Sequence, residues 1–103
     1  MHFAGKQTLV LGLGESGLAM ARWLASCDAH VRIADTREAP ERLPALHKNL
    51  PNAEFVSGEF SADLLDGIDF VALSPGLAPH RELAAILPAA QQRNIPVWGE
   101  IEF

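Results

Sequence analysis

Apolar and polar residues alternate along this chain in two rhythms. Residues 7–12, Gln-Thr-Leu-Val-Leu-Gly, form a short apolar run without polar alternation, which predicts a strand buried on both faces of a parallel sheet. Over 16–26 the rhythm becomes helical: Leu18, Ala21, Leu24 and Ala25 recur in an Ala-rich stretch with no breaker. Residues 30–35 predict a second strand with Val31 and Ile33 on one side and Asp35 at its carboxyl end. A loop over 36–39 leads to a helix over 40–49 and its apolar spacing at Leu43, Leu46 and Leu50, in which Pro44 must occupy the first turn or kink it. A third strand is expected over 53–57, and a short helical turn over 61–65 with Ser61 as its cap. Residues 70–74 form a second continuous apolar run, a fourth strand that stops at Pro75-Gly76. A helix runs from about His80 to Arg93 with Pro88 disturbing its middle, and 95–98 form a fifth strand, where Pro96 is tolerated at a start or edge. Residues 99–103 look like a further helix beginning. Strands alternating with helices imply right-handed βαβ units, hence an α/β fold: a doubly wound five-stranded parallel sheet with helices on both faces. Such a sheet binds ligands outside the carboxyl ends of its strands, where the strand order reverses, so the loops of interest are 12–17, 35–38 and 74–79.

Composition narrows the possibilities. The 103 residues, 49% hydrophobic and 20% charged, suffice for one domain and are too few for two of ordinary size. The formal net charge of −5, from 13 acidic and 8 basic residues, offers nucleic acid no general attraction, so any bound anion must be held locally. One cysteine, Cys27, excludes an internal disulfide and a multi-cysteine metal site, and suits a reducing compartment. No apolar run approaches the roughly 18 residues of a membrane span, and no secretory signal precedes the first strand. A cytoplasmic protein without membrane partners is expected. His2, His30, His47 and His80 show no metal-ligand spacing, and Trp23 and Trp98 are expected to pack.

The chemistry concentrates in two places. Gly12-Leu13-Gly14-Glu15-Ser16-Gly17 is a G-x-G-x-x-G between a buried strand and a helix, the setting that gives this short motif its meaning. Gly12 permits the turn out of the strand, Gly14 lets backbone approach a pyrophosphate, and Gly17 allows the helix to pack closely. N–H groups at the helix start, near Glu15 to Gly17, together with the helix dipole, favour an anion, and Ser16 adds a hydroxyl. A chain of net negative charge can thus hold a diphosphate through backbone donors. Glu15 is expected to turn its carboxylate to solvent. Asp35 lies 23 residues after Gly12, where an acidic residue in dinucleotide enzymes meets the ribose. Asp35-Thr36-Arg37 suits a uracil equally well: a carboxylate for the N3–H, a hydroxyl for a carbonyl, a guanidinium plane for the ring. The residues alone leave both ligands open, as well as a glycine turn that serves packing only. Ser74-Pro75-Gly76 would bring backbone up to the middle of a ligand, or be an ordinary turn.

Taken in order, Gly5-Lys6, the 12–18 loop, Asp35-Thr36-Arg37, Ser74-Pro75-Gly76 and Gly99-Glu100-Ile101-Glu102 resemble the amino-terminal domain of the D-glutamate-adding branch of the Mur ligase family. The resemblance covers nearly the whole chain; Ser16 departs from the threonine frequent in the family but keeps the hydroxyl. It implies a Rossmann-like domain that holds the UDP part of UDP-N-acetylmuramoyl-L-alanine for an ATP-dependent, cytoplasmic step of peptidoglycan synthesis. By position, Gly14, Glu15, Ser16 and Gly17 would meet the diphosphate, Asp35, Thr36 and Arg37 the uracil, and Ser74 and Gly76 the sugar side. In the family, ATP, Mg2+ and a carbamylated lysine belong to a central domain, and a C-terminal domain places D-glutamate. No G-x-x-x-x-G-K-[ST] loop occurs here, nor an acid cluster for magnesium, nor a nucleophile beside a base. The expectation is a monomeric fragment that binds the UDP substrate, carries no cofactor of its own and does not catalyse. Two other classes compete with it: the NAD-binding domain of an oxidoreductase and a non-enzymatic nucleotide-sensing module.

Overall fold

The computed structural model describes residues 3–74 and 83–98. Its elements follow the predicted order: β1 (Gln7–Leu11), α1 (Glu15–Ser26), β2 (His30–Asp35), α2 (Leu43–Asn49), β3 (Glu54–Ser57), a single 3-10 turn (Ala62–Leu65), β4 (Phe70–Leu73), α3 (Ile86–Gln92) and β5 (Val97–Trp98). All five strands are parallel, in the spatial order β3-β2-β1-β4-β5. The chain moves outward from β1 through β2 to β3, then crosses to the other side of β1 for β4 and β5. The strand order therefore reverses between β1 and β4.

Alternation along the strands divides the core into two layers. Leu9, Leu11, Ala34, Val71 and Leu73 face one side, where Leu64 and Leu65 of the 3-10 turn and Ile86 and Ala90 of α3 cover them. Val10, Val31, Ile33, Phe70 and Ala72 face the other, beneath Leu18, Ala21 and Leu24 of α1 and Leu46 of α2. Helices lie on both faces, as the buried central strands require. Phe3 closes the second layer, edge-on to Trp23 and Phe70 with ring centroids 5.3 and 5.0 Å apart. Trp23 and Trp98 pack against rings on one edge yet stay 52% and 43% exposed.

Local differences from the sequence reading have simple causes. Pro44 lies in the first turn of α2, where the missing N–H has no intrahelical acceptor in any case. Pro88 does not disturb a helix middle: α3 begins only at Ile86, which puts this proline in its first turn too. The stretch 83–85 is a turn, and the expected helical residues 80–82 fall outside the described part, as do 75–79 and the 99–103 tail. Ser61 makes no side-chain cap bond; the turn it precedes is 3-10 and ends after four residues.

Candidate functional site

The register brings the expected loops to one edge. Leu11 pairs with Ala34 of β2 and with Leu73 of β4, so Gly12, Asp35 and Ser74 emerge side by side at the carboxyl ends. The Gly12 N–H donates to the Ala34 carbonyl at 2.7 Å and the Ser74 N–H to the Leu11 carbonyl at 2.9 Å, which extends the sheet by one bond on either side of β1. Gly12 then turns with φ +94°, a conformation that side chains disfavour. Gly14 is the extended N-cap of α1, and the first-turn N–H groups that follow it have no acceptor one turn back within the helix.

Gly17 is the packing glycine. A Cβ there would collide with the Gly12 carbonyl oxygen and come within 2.7 Å of Ser74 Oγ. The Ser74 hydroxyl donates to that same Gly12 carbonyl at 2.8 Å, so β4 is tied to the turn after β1 across the point where the strand order reverses.

Asp35 is the most heavily bonded side chain of the site. Its Oδ2 accepts the Leu13 N–H at 2.8 Å and Arg37 Nη2 at 2.9 Å; its Oδ1 accepts the Arg37 N–H at 2.8 Å and Nε at 2.9 Å. Arg37 Nη2 also lies 3.3 Å from the Leu13 carbonyl. Burial pushes the Asp35 carboxyl up, but the Arg37 side-chain bonds, the two backbone N–H bonds and the Arg37 charge outweigh it and hold its pKa below the ordinary value. The same bonds raise that of Arg37. The pair is ionised at neutral pH, with Asp35 buried and Arg37 59% exposed.

These loops enclose a cleft of about 330 Å³. Seven of the nine expected site residues line it: Gly14, Glu15, Ser16, Asp35, Thr36, Arg37 and Ser74. Gly17 sits behind the loop, and Gly76 falls outside the described residues. Glu15 projects outward, its side chain 90% exposed and 3.9 Å from Arg42. The sequence reading missed Leu13 and Phe60 in the wall. Leu13 stands inside the glycine motif, at a position to which the motif assigns no role. Phe60, in the loop after β3, carries no local signal and reaches the cleft only through the fold. A second cleft of about 370 Å³ lies at the opposite edge, near Asp28, His30, Asn49 and Asn52, away from the switch point where such sheets bind ligands. Among the described residues, no group of three or more His, Cys, Asp or Glu is placed to hold a metal ion, and no helix is long and apolar enough to cross a membrane.

Parallel sheet, glycine turn and switch-point cleft define a Rossmann-like α/β domain. Solved structures with this arrangement include the apo form of D-lactate dehydrogenase from Escherichia coli, with a TM-score of 0.68 and 22% identity over 96% of this chain and 30% of that one. A D-2-hydroxyisocaproate dehydrogenase matches with a TM-score of 0.53 and 23% identity, over 75% of this chain and 21% of that one. At such identities the likeness is one of fold. The chain belongs to the family of Mur ligase MurD-like N-terminal domains, which it matches over residues 6–99. It is 60% identical over 95 residues to a UDP-N-acetylmuramoylalanine--D-glutamate ligase of Ralstonia nicotianae, covering 91% of this chain. It is 62% identical over 97 residues to the same-named ligase of Burkholderia vietnamiensis, covering 92% of this chain. In both cases the match spans 19% of the relative's length.

Proposed function

We propose that this chain is the substrate-binding N-terminal domain of an ATP-dependent ligase that adds D-glutamate to UDP-N-acetylmuramoyl-L-alanine, and that the cleft at the switch point receives the UDP portion. The observation that carries this reading is the family match over 6–99, which includes every strand and loop that lines the cleft. In this reading the loop from Gly14 to Gly17 holds the diphosphate with first-turn N–H groups and the Ser16 hydroxyl, whose charge preference the α1 dipole reinforces. Asp35, Thr36 and Arg37 form the uracil end, and Ser74 and Gly76 the sugar side. ATP, Mg2+ and D-glutamate belong to the parts of the ligase that follow this domain, so the chain by itself binds and does not join. The setting is cytoplasmic, the domain acts as a monomer, and neither nucleic acid nor membrane is a partner.

The NAD reading draws only on the fold shared with the dehydrogenases. Calorimetry of the chain with UDP-N-acetylmuramoyl-L-alanine and with NADH separates the two: heat of binding is expected with the first and not with the second. Binding of NADH without binding of the UDP ligand would end the ligase reading. A nucleotide-sensing module would need the chain to function without further domains, and the 19% coverage of relatives gives that reading no support.

A further inference from the structure

We infer that a row of four aromatic rings, running from α1 across the sheet to β5, is the face on which the part of the ligase that follows β5 packs. This rests on the proposed reading of the chain as the first domain of that ligase. Trp23 of α1 stands edge-on to Phe3, Phe3 to Phe70 at the start of β4, and Phe70 to Trp98 at the end of β5, with ring centroids 5.3, 5.0 and 5.4 Å apart. These are the separations of attractive edge-to-face pairs. The two inner rings are buried, whereas Trp23 and Trp98 are the large hydrophobic side chains left exposed among the described residues. A single exposed apolar side chain needs no explanation, but two at the ends of one continuous row point to an interaction surface.

The sheet explains why this face is open. On the α3 side, Leu83, Ile86 and Ala90 share the layer that takes Val97 of β5. On the other side α1 packs on β1 and β2, and α2 belongs to the crossover from β2 to β3, so towards β4 and β5 the rings take the place of a helix. Area and connection together select the occupant. A half-exposed tryptophan leaves on the order of 100 Å² for a partner, and two of them fall far below the roughly 800 Å² per partner of a free-standing interface. A second copy would also bring its own net charge of −5 against that of this chain. A neighbour tethered at the patch escapes the area limit, because its attachment supplies an effective concentration of about millimolar. Trp98 is the last residue of β5, an edge strand paired only with β4, so the polypeptide that continues from Gly99 starts at the end of the row. Its first apolar residues are Ile101 and Phe103. The family model is that of an N-terminal domain and the match spans 19% of the related ligases, so the bulk of such a ligase follows Trp98.

Fluorine magnetic resonance of fluorotryptophan-labelled protein tests the assignment on this chain and on the full-length ligase that carries it, with the two signals assigned through Trp23→Phe and Trp98→Phe. A soluble paramagnetic agent should broaden both signals in the chain by itself. In the full-length ligase the larger part of that broadening should be lost at both residues. A smaller loss at either residue overturns the inference. Protection in the isolated chain that grows with its concentration overturns it too, because the occupant would then be a second copy. Binding of UDP-N-acetylmuramoyl-L-alanine, followed on the same samples, keeps the two readings apart. Exposed tryptophans in a ligase that binds this substrate overturn the inference alone, whereas shielded tryptophans in a protein that does not bind it leave the face assigned and sink the proposed function.

Discussion

Gly17 lies where α1 approaches the sheet most closely, and the contact is backbone against backbone. Gly17→Ala would drive a methyl group into the Gly12 carbonyl and towards Ser74 Oγ, neither of which can yield without opening the turn after β1. A loss at the upper end of overpacking costs, about 3 kcal/mol, is expected in urea unfolding and, under the proposed function, weaker UDP binding because the loop moves. Asp35 makes a second prediction, about pH. Its folded pKa lies below the ordinary 3.8, so an unfolded chain takes up the proton first on acidification. The stability it contributes is complete above the unfolded value and disappears as the pH falls through the folded one. Urea midpoints measured from pH 6 down to 2 should fall more steeply below about pH 4 in the unaltered chain than in Asp35→Asn, which lacks the titrating group. Equal slopes would show that the carboxylate is not held as described. At this scale the sequence already pointed to Gly12, Gly14, Gly17 and Asp35, since each has a motif position. That Asp35 has no acceptor position left was not legible. Its bond to Leu13 spans 22 residues, and it depends on how far β2 and the loop after β1 extend beyond the sheet.

Elements were the most legible level, because the periods that reveal them are local. Every expected strand appears among the described residues, and the departures fall at boundaries. Pro44 takes the first-turn position that the sequence allowed it, and Pro88, expected in a helix middle, lies in a first turn as well, the one place where a helix accepts proline without losing a hydrogen bond. How elements are joined across the sheet was hidden. Arg32, on β2, donates from Nη1 to the carbonyls of Leu64 at 2.9 Å and Asp66 at 3.2 Å, and from Nε to Glu54 at 3.1 Å. It thereby satisfies the end of the 3-10 turn, whose Leu64 and Leu65 cover one face of the core. Arg32→Ala should cost about 1–2 kcal/mol in denaturant unfolding, mainly from carbonyls left without their charged donor. Glu54→Ala, which removes a partner 59% exposed, should cost under about 1 kcal/mol. Equal losses for the two would mean that the surface ion pair, and not the carbonyl bonds, ties β2 to the turn.

Across the whole molecule, the two core layers share the sheet but not their covering helices. Ile33 belongs to the layer under α1 and α2, and Ile86 to the layer under α3; both are buried to within 1%. Ile33→Val and Ile86→Val should each cost about 0.5–1.5 kcal/mol. Combined, they should add to within about 0.5 kcal/mol in a single cooperative transition. Strong non-additivity, or two separate transitions, would show that the layers are coupled differently from this description. The sequence by itself determined the order and type of the elements, the glycine loop after β1 and the acidic end of β2, because spacing and turn chemistry act over a few residues. It also carried the family resemblance that the match over 6–99 bears out. Only the tertiary structure decided that α1 and α2 lie opposite α3, that Phe60 joins the cleft wall, and that Asp35 is saturated by Leu13 and Arg37. Each of these depends on segments distant in the chain meeting at one edge of a twisted parallel sheet, and that meeting is set by strand order and register, which no local pattern of residues encodes.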